Sequence, residues 1–160
     1  MNITFRTHLT EPDIEPIKEI LKSTGFFYDY EIDVALELAA LNVQKGEQES
    51  GYYFILAETD GKVTGYSCFG QTPCTRASYD LYWIAVHQQF KNKGIGKMLL
   101  AETEKAIKTA GGENIWVETA SREQYTPTRK FYEHTGYHKA AELPDFYAPA
   151  DNKVVYMKKV

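Results

Sequence analysis

Lys91-Asn92-Lys93-Gly94-Ile95-Gly96-Lys97 joins a strand-like run, Leu81 to His87, to a helix-like run, Leu99 to Ala110. A helix N-terminus carries free N–H groups and a partial positive charge, so acids are the usual side chains there. Here three lysines crowd it, and the first acid is Glu102. Two glycines let the backbone come close to a ligand. A positive helix end with added cations lacks an anion, and a phosphate or pyrophosphate is its natural guest. The segment is not a Walker A loop, because Met98 follows Lys97 where that motif has Ser or Thr. It is not a dinucleotide fingerprint, because Leu99 stands in the third glycine's place. Taken alone, it also reads as a lysine-rich solvated turn.

Outward from this segment the chain alternates strands and helices. On the N-terminal side Ile3 to Arg6 is a short strand, and Thr10 is an N-cap with Pro12 and Asp13 in the first turn. Ile14, Ile17 and Leu21 repeat at helical spacing up to Gly25. Val34, Leu38 and Leu41 mark a second helix that ends near Gly46. Tyr52–Glu58 and Val63–Phe69 flank Asp60-Gly61 as a hairpin, and Tyr79–His87 is the next strand. On the C-terminal side the third helix stops at Gly111-Gly112. Asn114 to Thr119 is a strand, and Pro127 to Thr135 a short helix closed by Gly136. Tyr137–Leu143 and Val154–Lys159 are closing strands around a loop at Pro144–Asp151. The order β-α-α-β-β-β-α-β-α-β-β predicts an α/β (α+β) fold, a mixed sheet with helices on both faces.

At 160 residues a single domain, 1–160, is expected. A net charge of −4 weakens a nucleic-acid reading, since phosphate tracking needs a basic face, and mildly favours a cationic partner. No apolar run approaches the roughly 20 residues of a membrane helix. Met1-Asn2-Ile3-Thr4 lacks the basic and apolar regions of a secretory leader, and Cys68 and Cys74 read as reduced thiols. A cytoplasmic protein, monomer or homodimer, is the expectation. His134 and His138 have a metal-ligand spacing, but Gly136 ends the helix between them, so no metal is expected. Trp83 and Trp116 read as packing residues, and Lys153, Lys158 and Lys159 as a solvated tail.

Two runs carry a family resemblance. Leu81-Tyr82-Trp83-Ile84-Ala85-Val86-His87, followed by Phe90-Lys91-Asn92-Lys93-Gly94-Ile95-Gly96-Lys97, resembles the acetyl-CoA motif V-x-P-x-x-[RQ]-x-x-G-x-[GA] of the GCN5-related N-acetyltransferases (GNAT). Tyr125-x-x-x-Arg129-Lys130-Phe131-Tyr132-Glu133-x-x-Gly136-Tyr137 is similar to the family's second signature. Lys91 stands where Arg or Gln is usual, keeping the charge but losing a planar group. Gln88 replaces the common proline, and Tyr125 stands where the second signature often has Asn. The strand Trp116-Val117-Glu118 followed by Ala120-Ser121 looks like that of the ribosomal-protein alanine N-acetyltransferases.

The resemblance implies a fold of about seven strands and four helices, splayed between strands four and five. It implies acetyl-CoA as cofactor and direct acetyl transfer to a primary amine, a small cationic metabolite or a peptide amine. The pantetheine lies along Ile84, Ala85 and Val86, with Tyr125 beside it. The pyrophosphate receives N–H groups from Lys91, Asn92, Lys93, Gly94, Ile95, Gly96 and Lys97. Tyr132 protonates the leaving thiolate; a thiol has a pKa of about 8.5 and a tyrosine about 10. Glu118 takes the amine proton, with Asp80 and His87 as alternatives. Alternation along Ile115-Trp116-Val117-Glu118 puts Trp116 and Glu118 on one face and Ile115 and Val117 on the other. Phe27 and Tyr28, with Asp145 and Tyr147, flank the acceptor end, where acids and aromatic faces suit a cation. The rival reading is a noncatalytic acyl-CoA-binding or regulatory module on the same scaffold.

Overall fold

The computed structural model describes residues 1–160. Its strands are β1 (Ile3–Arg6), β2 (Tyr53–Thr59), β3 (Lys62–Gln71), β4 (Ser78–Val86), β5 (Asn114–Ala120), β6 (His138–Ala148) and β7 (Asp151–Lys159). Its helices are α1 (Ile14–Thr24), α2 (Asp29–Ser50), α3 (Ile95–Thr109) and α4 (Thr126–His134). The strands form one mixed sheet in the order β1-β2-β3-β4-β5-β7-β6. The neighbours β4 and β5 run parallel, through Ser78↔Asn114, Tyr79↔Ile115 and Asp80↔Trp116. Seven strands and four helices agree with the expected fold. No helix is long and apolar enough to cross a membrane.

The chain divides into two compact units: Met1–Gly70 with Leu81–Ala106, and Gln71–Asp80 with Ile107–Val160. In the first, Ile17, Ile20 and Leu21 of α1 and Ala35 and Ala39 of α2 cover Phe54, Leu56, Tyr66 and Cys68 of β2 and β3. Burial pushes the Cys68 thiol well up, which keeps it a small inert hydrophobe. Asp60 and Gly61 both take positive φ, as the two-residue turn between β2 and β3 requires. In the second unit, Ile115 and Val117 are buried with Tyr132, Tyr137 and Tyr156.

The start of α1 is fixed by one buried acid. Thr10 donates through its backbone N–H and its hydroxyl to Asp13, at 2.8 and 2.7 Å. The Arg6 guanidinium holds both Asp13 oxygens, at 2.9 and 2.7 Å, and reaches Glu58 at 2.9 Å. These Arg6 bonds, against the opposing effect of burial and with help from Thr10, hold the Asp13 carboxyl at about 2. A depressed carboxyl stabilises the fold fully above its unfolded pKa and loses that effect as pH falls through the folded one. Between pH 4 and 2 the wild type should therefore lose about 2 kcal/mol of unfolding free energy. Urea melts at pH 4, 3 and 2 measure this. Asp13→Asn should flatten that acid limb, and an unchanged slope in the variant would assign it to other groups.

The second helical run ends at Gly46 as expected: at φ 80° and ψ 172° its backbone leaves the helix, which a residue without Cβ allows, and a separate turn then runs to Gly51, whose N–H donates to Glu47 O at 2.9 Å. Two expectations need correction. The stretch Pro144–Asp151 is not an open loop, because β6 runs to Ala148 and β7 begins at Asp151. The register slips between Leu143 and Ala148, and side chains replace the missing ladder bonds. Asp145 N–H donates to Asn152 Oδ1 at 2.9 Å, and Ala150 N–H to Asp145 Oδ1 at 2.7 Å. Of the three C-terminal lysines Lys159 is exposed, but Lys153 and Lys158 are not a solvated tail. Lys158 Nζ donates to Thr135 O at 2.9 Å, and Lys153 is held between Glu118 and Phe146.

Candidate active site

In the first unit, the backbone from β4 to α3 is shaped by short local bonds. His87 N–H donates to Thr64 O at 2.8 Å, and Gln88 N–H to Ser23 Oγ at 3.0 Å. A single 3-10 turn follows, Gln88–Phe90, capped by His87 Nδ1, which accepts from Gln89 N–H at 3.3 Å. Asn92 and Gly94 then take positive φ, 61° and 79°, and reverse the chain. Ile95 is buried and anchors the first turn of α3, and Met98 N–H closes that turn onto Gly94 O at 3.1 Å. The backbone amides from Asn92 to Lys97 donate to no acceptor within the protein. Lys93 and Lys97 are exposed beside them. Lys91 differs: its Nζ sits 4.8 Å from the Phe26 ring, and burial lowers its pKa. Six unpaired amides, a positive helix end and exposed lysines form a cradle that fits a pyrophosphate.

In the second unit, a pocket of about 360 Å³ opens on β4 and β5. Thr72, Thr75, Ser78, Asp80, Trp116, Glu118 and Val155 line it. Thr72 Oγ1 donates to Asp80 Oδ2 at 2.8 Å, and Trp116 Nε1 donates to Ser78 Oγ at 3.3 Å. Burial pushes the Asp80 carboxyl above its ordinary range. The Thr72 bond opposes this, the Glu118 charge adds to it, and Lys153 opposes it. Glu118 is 54% exposed, and its Oε2 lies 2.8 Å from Lys153 Nζ. The sequence favoured Glu118 and held Asp80 as an alternative; the structure brings both into one pocket. Trp116, read as a packing residue, lines it with them.

Tyr132 lies on the other side of β5. Glu118 pairs with Val155 and Val117 with Tyr156, so strand alternation separates the two pairs onto opposite faces. The Tyr132 ring is 5.9 Å from Tyr156 and 5.6 Å from Tyr137, and the residue is 5% exposed. Burial pushes its phenol well up, so it stays protonated through the working range. Arg129 ties α4 to the end of β5, donating to Ala120 O at 2.7 Å, Arg122 O at 3.0 Å and Thr126 Oγ1 at 3.0 Å. That clamp was not read from the sequence, although Arg129 sits inside the second signature. The Tyr125 ring lies 4.9 Å from the Arg122 guanidinium.

The four residues expected at the acceptor end differ in their surroundings. Phe27 packs edge-on against Trp83 at 5.1 Å, in the core of the first unit. Tyr28 is exposed and stacks on Tyr30. Asp145 is engaged in the β6–β7 slip, and Tyr147 is exposed beside Phe146.

Comparison with known proteins identifies the family. The acetyltransferase (GNAT) domain model matches residues 50–139. A protein from Desulfovibrio desulfuricans assigned to the GNAT acetyltransferases superposes with a TM-score of 0.96, at 38% identity over 99% of each chain. The chain belongs to the GNAT acetyltransferase family. An N-alpha-acetyltransferase from Sulfurisphaera tokodaii is 29% identical over 109 residues, 62% of this chain. The match spans 64% of that curated relative's length. A GNAT family acetyltransferase from Elizabethkingia anophelis, solved with acetyl-CoA bound, shares the fold at a TM-score of 0.74 and 18% identity, over 99% of each chain.

Proposed function

We propose that this chain is an acetyl-CoA-dependent N-acetyltransferase that moves an acetyl group directly to a primary amine, working in the cytoplasm as one catalytic domain. The observation that carries the reading is the row of unpaired amides from Asn92 to Lys97 at the positive end of α3. Those amides, with Lys93 and Lys97, hold the pyrophosphate, while Lys91 shapes the turn from its place over Phe26. The backbone of Ile84, Ala85 and Val86 aligns the pantetheine, and Tyr125 flanks it. When bound, acetyl-CoA supplies a thioester whose carbonyl carbon the amine attacks; the C–N bond forms and the C–S bond breaks.

Asp80 takes the amine proton. Glu118, the residue the sequence favours, shares its charge with Lys153, whereas Asp80 has only the Thr72 hydroxyl on it. A carboxyl raised by burial is a better base than an ordinary one. Tyr132 gives a proton to sulfur from the other face of β5. Base demand depends on the acceptor: an α-amine with pKa near 8 is about a tenth neutral at pH 7, a lysine only about 1 in 2,500. The exposed rings of Tyr28 and of Tyr147 favour a cationic amine.

Free-thiol release from acetyl-CoA across a panel of small amines and short peptides tests this. Amine-dependent release above the uncatalysed rate is expected, together with calorimetric binding of coenzyme A. Binding without release would favour the noncatalytic module, and neither would overturn both.

A further inference from the structure

Lys153 occupies the kind of place that a cationic acceptor seeks. Its Nζ lies 2.8 Å from Glu118 Oε2 and 4.2 Å from the centre of the Phe146 ring. The lysine side chain is only 16% exposed, while Glu118 and Phe146 are each about half exposed, at 54% and 51%. The cation is therefore the covered member and its two hosts are the open ones. A carboxylate and an aromatic face meeting at one point form an ammonium-binding pair.

The hairpin builds this arrangement deliberately. Lys153 pairs with Ala120 across β5 and β7, beside Glu118 in register with Val155. Asn152, one residue before it, is anchored by its N–H to Ser121 Oγ at 2.7 Å. The same Asn152 side chain accepts from Asp145 N–H, holding the register slip that contains Phe146. Glu118 also lines the pocket with Asp80, which feels the charges of both Glu118 and Lys153.

We propose that Glu118 and Phe146 form a second ammonium subsite beside the reacting amine, filled by Lys153 until an acceptor carrying two positive charges displaces it. The inference rests on the acetyltransferase reading and narrows its acceptor to a dicationic amine: one nitrogen reacts at Asp80 and the other replaces the lysine. Exchange of one ammonium for another leaves the local charge balance unchanged and sends the lysine head into water. An ion pair to a half-exposed carboxylate and a cation–π contact are each weak, so removing the internal competitor is worth about tenfold in affinity.

The test compares butylamine with 1,4-diaminobutane as acceptors, read by thiol release, in wild type and Lys153→Met, which keeps an apolar stem. The wild type should favour the diamine in KM. Lys153→Met should raise that preference about tenfold, and Glu118→Gln or Phe146→Leu should abolish it. A KM ratio that does not move in Lys153→Met overturns the proposal. A readout without turnover runs alongside: the ¹³C carboxyl shift of Glu118 titrated with 1,4-diaminobutane, tighter in Lys153→Met than in wild type. Titration with no acetylation of either amine keeps the subsite and removes the acetyltransferase reading. Acetylation with no Glu118 shift, in either protein, removes the subsite and keeps the enzyme.

Discussion

Asp80→Asn should lower kcat by about 10²- to 10⁴-fold, the range that a positioned general base supplies. Asn has the same shape, and its amide oxygen can still accept from Thr72 Oγ1, so the pocket wall is preserved. What it loses is the ability to take a proton. Coenzyme A binding by calorimetry should stay within about twofold, because the α3 amides are untouched. The pH profile gives the second half of the test. A base must be deprotonated to act, so kcat/KM of the wild type should fall as pH drops through the Asp80 pKa. Burial puts that limb above the ordinary carboxylate range. The variant should lack it. If the variant keeps both its rate and its acid limb, the proton goes elsewhere, and Glu118→Gln becomes the decisive substitution.

Tyr132→Phe should reduce kcat by about 10²-fold with little change in coenzyme A affinity or melting temperature. The Tyr132 ring packs edge-on against Phe131 and Tyr137 and tilted against Tyr156, and Phe keeps all three contacts. Only the hydroxyl is lost. Burial keeps that hydroxyl protonated and also makes it a weaker acid, so it serves as a donor only to a thiolate forming within hydrogen-bond reach. The loss should shrink with an acetyl thioester of a more acidic thiol, since such a thiolate departs without a proton. Equal losses for both thioesters, or unchanged turnover, would make Tyr132 a core residue of α4 alone.

How much of this was legible in the chain follows from distance along it. The α3 N-terminus was readable because its signal is local: lysines and glycines within seven residues, at a place where acids are normal. The Thr10 cap was readable for the same reason, since Asp13 of the first turn lies three residues away. The alternation that puts Ile115 and Val117 inward also held. The Lys153–Glu118 pair was not readable, because it depends on the β5–β7 register, and a one-residue slip would turn Lys153 to the other face. Thr72 and Asp80 stand eight residues apart across the β3–β4 hairpin, and the exact pairing of its ends decides whether they meet. Gly46 was readable as a stop because it follows an apolar helical repeat, whereas the polar turn from Glu47 to Ser50 that runs on to Gly51 carries no such repeat.

Tyr132 packs against Tyr156, while Asp80 and Glu118 open on the reverse side of β5. Under the proposed roles, the hydrogen that the ammonium surrenders is not the hydrogen that ends on the thiol, and bulk water restores both groups after the products have gone. In that direct transfer both groups serve one reacting carbon, the carboxylates from the face that meets the acceptor and the phenol from the face that meets sulfur, so the acceptor face can vary while the phenol stays fixed.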